Sequence, residues 1–338
     1  MPGTTDYLID LHRHLEGSIR PSTALELGFP RAADDRDWRE RIAAGAADDG
    51  PLPYLARVET LTRRITTFEG WGRVTREAIA DAYDDGLHGV EFRFSPGFIA
   101  AKTGLPAGGV LEVVSDAATT HGLPIDVGLI GIVVRDAGPE AGTRHMGLFT
   151  RWSSALVGVD LAGDEAGFPA RDFAPAFRRA EAAGLAITVH AGEAAGPESV
   201  WNAINHLGPQ RIGHGVRSIE DLRLVEQLAA RSITLEVAPT SNLQTRAVPS
   251  IAAHPLPSLL AAGVLVAVCT DNPTTSATTL RQEHRLAETL VSADDLARIK
   301  ENARRASFLG SAVPASPRSG PSAAQIRRCQ MTSPCGHS

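Results

Sequence analysis

The stretch Thr188-Val189-His190-Ala191-Gly192-Glu193 decides how this chain is read. It is the end of an apolar run of strand length. It delivers a histidine and, three residues later, a carboxylate. Three other places end the same way: His12-Arg13-His14, Ile212-Gly213-His214-Gly215 and Cys269-Thr270-Asp271-Asn272. Strand ends that offer His, His, His, His, Glu and Asp point to a metal site rather than to a scatter of polar residues.

Working outward from these ends, apolar runs of strand length fall at 8–14, 90–96, 125–134, 156–161, 186–190, 211–214, 233–237 and 264–269. Between them lie stretches with helical periodicity, at about 107–121, 139–152, 174–183, 197–206, 218–230 and 255–262, with 278–290 and 294–307 after the last strand. Residues 54–85 read as one long amphipathic segment, with Leu55, Val58, Leu61, Ile65 and Phe68 at helical spacing and Gly70 and Gly72 interrupting it. Eight strands alternating with helices is the count of a closed parallel (β/α)8 TIM barrel. A doubly wound open sheet is the competing arrangement. The barrel is favoured because strands one, five, six and eight all carry candidate ligands at their C-terminal ends, and only closure brings those four ends to one face. Residues 31–53, rich in Asp, Ala, Gly and Pro, read as short helices of a flap over that face. Residues 311–338 read as a structureless tail, since Ser, Pro, Gly and Ala dominate without an apolar period. The domain reading is therefore one barrel over 1–310, with extra helices over the C-terminal face, and a tail.

Composition excludes several classes. The net charge of −6 leaves no basic excess to neutralise phosphates, so nucleic acid is not the expected partner. No uncharged apolar run is long enough to span a membrane. Three cysteines, Cys269, Cys329 and Cys335, form no disulfide framework, and Met1 to Asp6 lack a basic and apolar leader; a cytoplasmic protein is the expectation.

His12 and His14 are two apart on a strand, so both imidazoles point the same way and suit one metal at roughly 2.0–2.1 Å each. His190 and Asp271 can complete the set, with one Zn2+ per chain the best match to N and O ligands. Glu193 is free to act as a proton donor to a substrate. His214, between two glycines, is placed to orient the attacking water and stabilise developing charge. Gly163 can offer a backbone N–H to a flat substrate. Asn272 can donate to a ring nitrogen, and Ser241 can hydrogen-bond Asp271.

These motifs resemble the adenosine deaminase family: His12-Arg13-His14-Leu15-Glu16-Gly17, Asp160-Leu161-Ala162-Gly163-Asp164-Glu165, His190-Ala191-Gly192-Glu193, Gly213-His214-Gly215, and Ser241-Asn242 with Thr270-Asp271. They occur in order over about residues 8–309. The resemblance implies a zinc-bearing barrel of the metal-dependent hydrolase type that hydrolyses the 6-amino group of a purine nucleoside. It implies that His12, His14, His190 and Asp271 hold the metal, that Glu193 protonates the ring nitrogen, and that His214 and Asp271 position and deprotonate water. Gly163 would touch the purine. Two positions depart from the family pattern: Glu16 stands where Asp is usual at the ribose 5′-hydroxyl, and Asn272 stands where a second Asp is usual. Glu16 brings 6-aminodeoxyfutalosine, whose ribose carries a large group on its 5′ carbon, into consideration as an alternative substrate. Two further classes are weighed. A two-metal barrel hydrolase would want a bridging carboxylate or modified lysine, yet the only lysines are Lys102 and Lys300. A catalytically silent nucleoside-binding protein would lack a ligand or the acid, yet all are present.

Overall fold

The computed structural model describes residues 7–27, 41–44 and 50–311. Most of the 31–53 flap and all but the first residue of the 311–338 tail lie outside the described residues. Eight parallel strands follow one another around a single sheet in sequence order. They are β1 Ile9–His14, β2 Gly89–Phe94, β3 Asp126–Val134, β4 Gly158–Ala162, β5 Ala186–Ala191, β6 Arg211–His214, β7 Thr234–Val237 and β8 Leu265–Val268. The sheet closes just past β8, where the Asp271 amide donates to the His12 carbonyl at 2.8 Å and the His14 amide to the Asp271 carbonyl at 2.7 Å. This is the closed barrel that the strand count implies, and the open sheet is excluded.

Closure has a direct consequence for the site. The backbone that joins β1 to the chain after β8 is the same backbone that carries His12, His14 and Asp271. Barrel geometry therefore presses these three side chains together.

The reading of 54–85 as one segment is corrected. Two helices stand there, Pro51–Thr62 and Phe68–Asp84, and the break is at 63–67 rather than at the glycines. The Trp71 indole N–H donates to the Ile65 carbonyl at 2.9 Å, and the Thr67 hydroxyl caps the second helix by accepting from the Gly70 amide at 3.1 Å. Similarly, 218–230 is a short 3-10 turn, Val216–Glu220, followed by the helix Leu222–Ala230, because the Asp221 carboxylate caps the new helix at the Arg223 amide.

The two sides of the barrel wall differ. Val90, Phe92 and Phe94 of β2, and Leu235 and Val237 of β7, join the large apolar cluster that also holds the surrounding helices. The alternate residues of these and neighbouring strands, Glu91, Arg93, Asp160, Thr188, Arg211 and Glu236, are polar and all wholly buried. Period-two alternation places them on the opposite face of the sheet, inside the barrel. A barrel interior is usually packed with Val, Ile and Leu. Here it is a set of ion pairs, and the ion pairs lead to the histidines.

Candidate active site

At the C-terminal mouth, His12, His190, His214 and Asp271 each place one ligand atom within 4.8 Å of the others. His14 joins from the side. Its Nε2 lies 3.3 Å from Asp271 Oδ1 and 3.3 Å from His190 Nε2. All six chemistry-bearing residues read from the sequence at strand ends thus converge, since Glu193 Oε2 is 3.5 Å from His214 Nε2.

Orientation separates the imidazoles. His12 Nδ1 faces Glu236 Oε2 at 2.9 Å, and His190 Nδ1 faces Asp160 Oδ2 at 2.9 Å. A carboxylate only accepts, so each Nδ1 carries the hydrogen, and in the neutral ring Nε2 keeps a bare lone pair; burial lowers the His190 pKa, but Asp160 outweighs it and raises it. His12 Nε2 is buried without a hydrogen-bond partner and lies 3.5 Å from Asp271 Oδ1. Burial, then the nearby Arg93 and His190, push the His12 pKa down to about 4, and burial holds His14 well below its usual value. Both imidazoles are therefore neutral at pH 7. Burial opposes ionisation of Asp271, but the imidazoles packed around it outweigh burial and hold its pKa well below the carboxylate range.

Charge supports the same conclusion. Arg93 bridges Asp160 and Glu236 at 2.9 and 2.8 Å, and Arg211 bridges Glu91 and Glu236 at 2.7 and 2.6 Å. These two guanidiniums pair with Glu91, Asp160 and Glu236, and Asp271 adds a further carboxylate at the mouth. A lone pair on an unpartnered buried nitrogen, neutral imidazoles and an ionised carboxylate fit a bound Zn2+.

The remaining groups surround this centre. Ser241 Oγ donates to Asp271 Oδ2 at 2.6 Å, as expected from the sequence. Asn272 Nδ2 donates to Asp271 Oδ1 at 2.7 Å, which leaves its second N–H for another acceptor. Glu193 Oε1 accepts from Thr245 Oγ1 at 2.9 Å. Burial raises the Glu193 pKa, with Asp271 and Glu165 adding to the shift against the opposing charge of His214. Glu16 is buried; its Oε1 accepts from the Ser95 amide at 2.8 Å while Oε2 has no partner, and burial raises its pKa to about 7. Gly163 has φ +110°, and a Cβ there would lie 2.2 Å from Asp136 Oδ2, so the fold alone demands glycine at this position. A Cβ on Gly213 would lie 3.0 Å from His12 Cε1, which is the close approach to the metal cluster that its flanking position suggests. His214 and Asp271 hold φ values of 61° and 63°, uncommon for residues with a side chain and typical of strain kept at a functional site.

Several participants went unread in the sequence. Glu236, Arg93, Arg211 and Glu91 support the histidines from below, and Tyr54 Oη lies 3.4 Å from Asp271 Oδ2 on the helix that follows the flap. A signal existed for the first four: charges alternate with apolar residues inside strands that are otherwise buried. A cavity of about 590 Å3 opens at the opposite end of the barrel, lined by Gln210, Arg211, Asn302 and Phe308 among others, and none of the mouth histidines lines it.

A closed β/α barrel with a His/Asp cluster and a carboxylic acid at its C-terminal mouth defines a metal-dependent barrel hydrolase. Comparison with known proteins narrows the class. A family profile described as adenosine deaminase matches residues 8–316. The chain is 41% identical over 287 residues to an adenosine deaminase of Yersinia enterocolitica, covering 83% of this chain and 86% of that one. It is 40% identical over 314 residues to an adenosine deaminase of Edwardsiella ictaluri, covering 90% and 94%. Among solved structures, an adenine deaminase from Arthrobacter aurescens superposes with a TM-score of 0.82 at 26% identity, covering 89% and 93%. An Arabidopsis N6-mAMP deaminase superposes at 0.79 with 25% identity, covering 91% and 95%. The chain belongs to the adenosine deaminase family.

Proposed function

We propose that this protein is a zinc-dependent aminohydrolase that converts adenosine and 2′-deoxyadenosine to inosine and 2′-deoxyinosine with release of ammonia. The observation that carries the reading is the convergence at one mouth of His12, His190, His214 and Asp271, each placing a ligand atom within 4.8 Å of the others, with Glu193 Oε2 3.5 Å from His214 Nε2 beside them. Burial raises the Glu193 pKa, which suits it to give a proton.

His12, His14, His190 and Asp271 would hold the zinc. The ion supplies Lewis acidity, which makes water a nucleophile at neutral pH. The chain's own groups do the rest. Protonated Glu193 donates to the purine ring nitrogen beside the attacked carbon and draws electron density from it. His214 donates to the attacking water oxygen and holds it in line. Asp271 accepts the proton that the water releases and passes it to the amino group, which leaves as ammonia, while the proton of the new hydroxyl returns to Glu193 as the carbonyl forms. The free N–H of Asn272 reaches the five-membered ring, and the backbone at Gly163 lies against the purine.

Glu16 selects among substrates. Its Oε2 is a buried acceptor without a partner, so a ligand hydroxyl that donates to it is worth more than an ether or ester oxygen, which cannot. This favours a nucleoside with a free 5′-hydroxyl over 6-aminodeoxyfutalosine. No helix among the described residues is long and apolar enough to cross a membrane, and a cytoplasmic location is part of the proposal. The test is kcat/KM for zinc-loaded protein on adenosine, 2′-deoxyadenosine, adenine and 6-aminodeoxyfutalosine, followed by ultraviolet absorbance and ammonia release. Adenosine in front supports the reading. A lead of orders of magnitude for the futalosine nucleoside would keep the chemistry and change the substrate, and no turnover of any of the four would refute both.

A further inference from the structure

Three buried groups lie in a line behind His214. The Leu256 backbone N–H donates to His254 Nδ1 at 3.1 Å. His254 Nε2 lies 3.5 Å from Asn242 Oδ1, and Asn242 Nδ2 lies 3.0 Å from His214 Nδ1. His214 Nε2 then faces Glu193 Oε2 at 3.5 Å. His254, Asn242 and His214 are buried, with relative exposures of 4%, 0% and 1%.

The direction of every hydrogen in this line follows from its far end. A backbone amide can only donate, so His254 Nδ1 must accept and its hydrogen sits on Nε2. Burial keeps His254 neutral by pushing its pKa down to about 4. His254 Nε2–H then requires an acceptor, which orients the Asn242 amide with its oxygen toward His254. Its NH2 is turned toward His214, whose Nδ1 must accept. His214 therefore carries its hydrogen on Nε2. Any reversal along the line sets two donors face to face in a buried site, where an unmet polar group is expensive.

We propose that Asn242 and His254 are positioning residues that hold His214 as the Nε2–H tautomer, and so make it a donor to the attacking water rather than a metal ligand. This rests on the deaminase reading of the site and adds to it the control of one catalytic group from outside the pocket. The contrast with the neighbouring imidazoles is internal to the structure. Carboxylates face Nδ1 of His12 and His190 and free their Nε2 lone pairs for a metal, whereas an amide donor faces Nδ1 of His214 and does the reverse. Two imidazole tautomers coexist in one cluster because their outer partners differ. Asn242 and His254 also tie the chain after β7 to the residues around 254, so the donor is set by two segments that make no contact with the reacting atoms.

The experiment uses the full-length zinc-loaded protein and three variants. Asn242→Asp keeps the shape and replaces the donor by an acceptor, so it should move the His214 hydrogen to Nδ1. His254→Leu removes the donor that orients Asn242, and His254→Gln restores one. Nitrogen-15 chemical shifts of the His214 ring read the tautomer directly, whatever the activity. A comparable inversion in a serine-protease triad lowers kcat by about 10⁴. For Asn242→Asp a fall in kcat of about 10² or more is expected, with KM and bound zinc near parental values. His254→Leu should lose about tenfold in kcat and His254→Gln should recover most of it. The inference is overturned if parental His214 shows its hydrogen on Nδ1, or if folded Asn242→Asp retains kcat within threefold. It is also overturned if His254→Gln is no better than His254→Leu. If the parent deaminates nothing, the deaminase reading fails, while the tautomer remains decided by the nitrogen shifts.

Discussion

Glu236→Gln isolates the support beneath the metal centre. The Glu236 carboxylate is wholly buried; it accepts from His12 Nδ1 at 2.9 Å, Arg93 at 2.8 Å and Thr188 Oγ1 at 3.1 Å, and pairs with Arg211 at 2.6 Å. Glutamine keeps the shape, removes the charge and turns an NH2 toward donors on one side. Removing one partner of a buried ion pair is destabilising by about 3–5 kcal/mol, and the lower end applies here because Arg93 keeps Asp160 and Arg211 keeps Glu91. Loss of the group that orients a metal-binding histidine lowers metal affinity by about 10–100-fold, or about 1.4–2.7 kcal/mol. Zinc affinity is measured by competition with a chromophoric chelator, and stability by urea unfolding of the zinc-loaded protein. Glu91→Gln is the control, since it breaks a pair with the same Arg211 but touches no histidine. Both variants should lose stability, and only Glu236→Gln should lose zinc affinity. The reasoning is refuted if zinc binding by Glu236→Gln stays within twofold of the parent, or if Glu91→Gln loses zinc equally.

Glu193→Gln should lower kcat by about 10²–10⁴ while leaving zinc content unchanged, because glutamine keeps the contact with Thr245 and cannot give a proton; steady-state kinetics with metal analysis decides it. Stability should fall on acidification. Burial pushes His254 and His284 down to about 4 in the folded protein, so their neutral forms stabilise it above pH 6.5 and that stability is lost as the pH falls toward 4. The shift from 6.5 is worth up to about 3 kcal/mol for each, and unfolding followed against pH should show a shallower slope in His284→Gln. Gly163→Ala should destabilise by about 1–3 kcal/mol, since φ is +110° and the new methyl would meet Asp136; a Tm unchanged from the parent would contradict this.

Much of the architecture was legible because it is written in local patterns. Apolar runs bounded by Gly, Pro and polar residues mark all eight strands, and the backbone at those ends is where a barrel exposes side chains. The helix boundaries at 63–67 and at Asp221 were less legible, because a capping hydroxyl and a capping carboxylate set them, and the apolar period continues across both breaks. Site residues followed the same division. His12, His14, His190, Glu193, His214 and Asp271 stand out as polar groups at strand ends. Glu91, Arg93 and Glu236 stand inside strands, and a charge inside a buried strand has meaning only once its partner is known.

The sequence by itself determined the barrel, the identity of the groups at its mouth and their likeness to the adenosine deaminase family, since each depends on residues close together in the chain. The tertiary structure alone decided what those groups are. His12 meets Glu236 across 224 positions and His190 meets Asp160 across 30, and these contacts choose which nitrogen of each ring bears the hydrogen. His214 receives the opposite assignment from Asn242, 28 positions away. An imidazole is a metal ligand or a hydrogen-bond donor according to the partner on its far side, and only the folding of the barrel brings that partner within 3 Å or so.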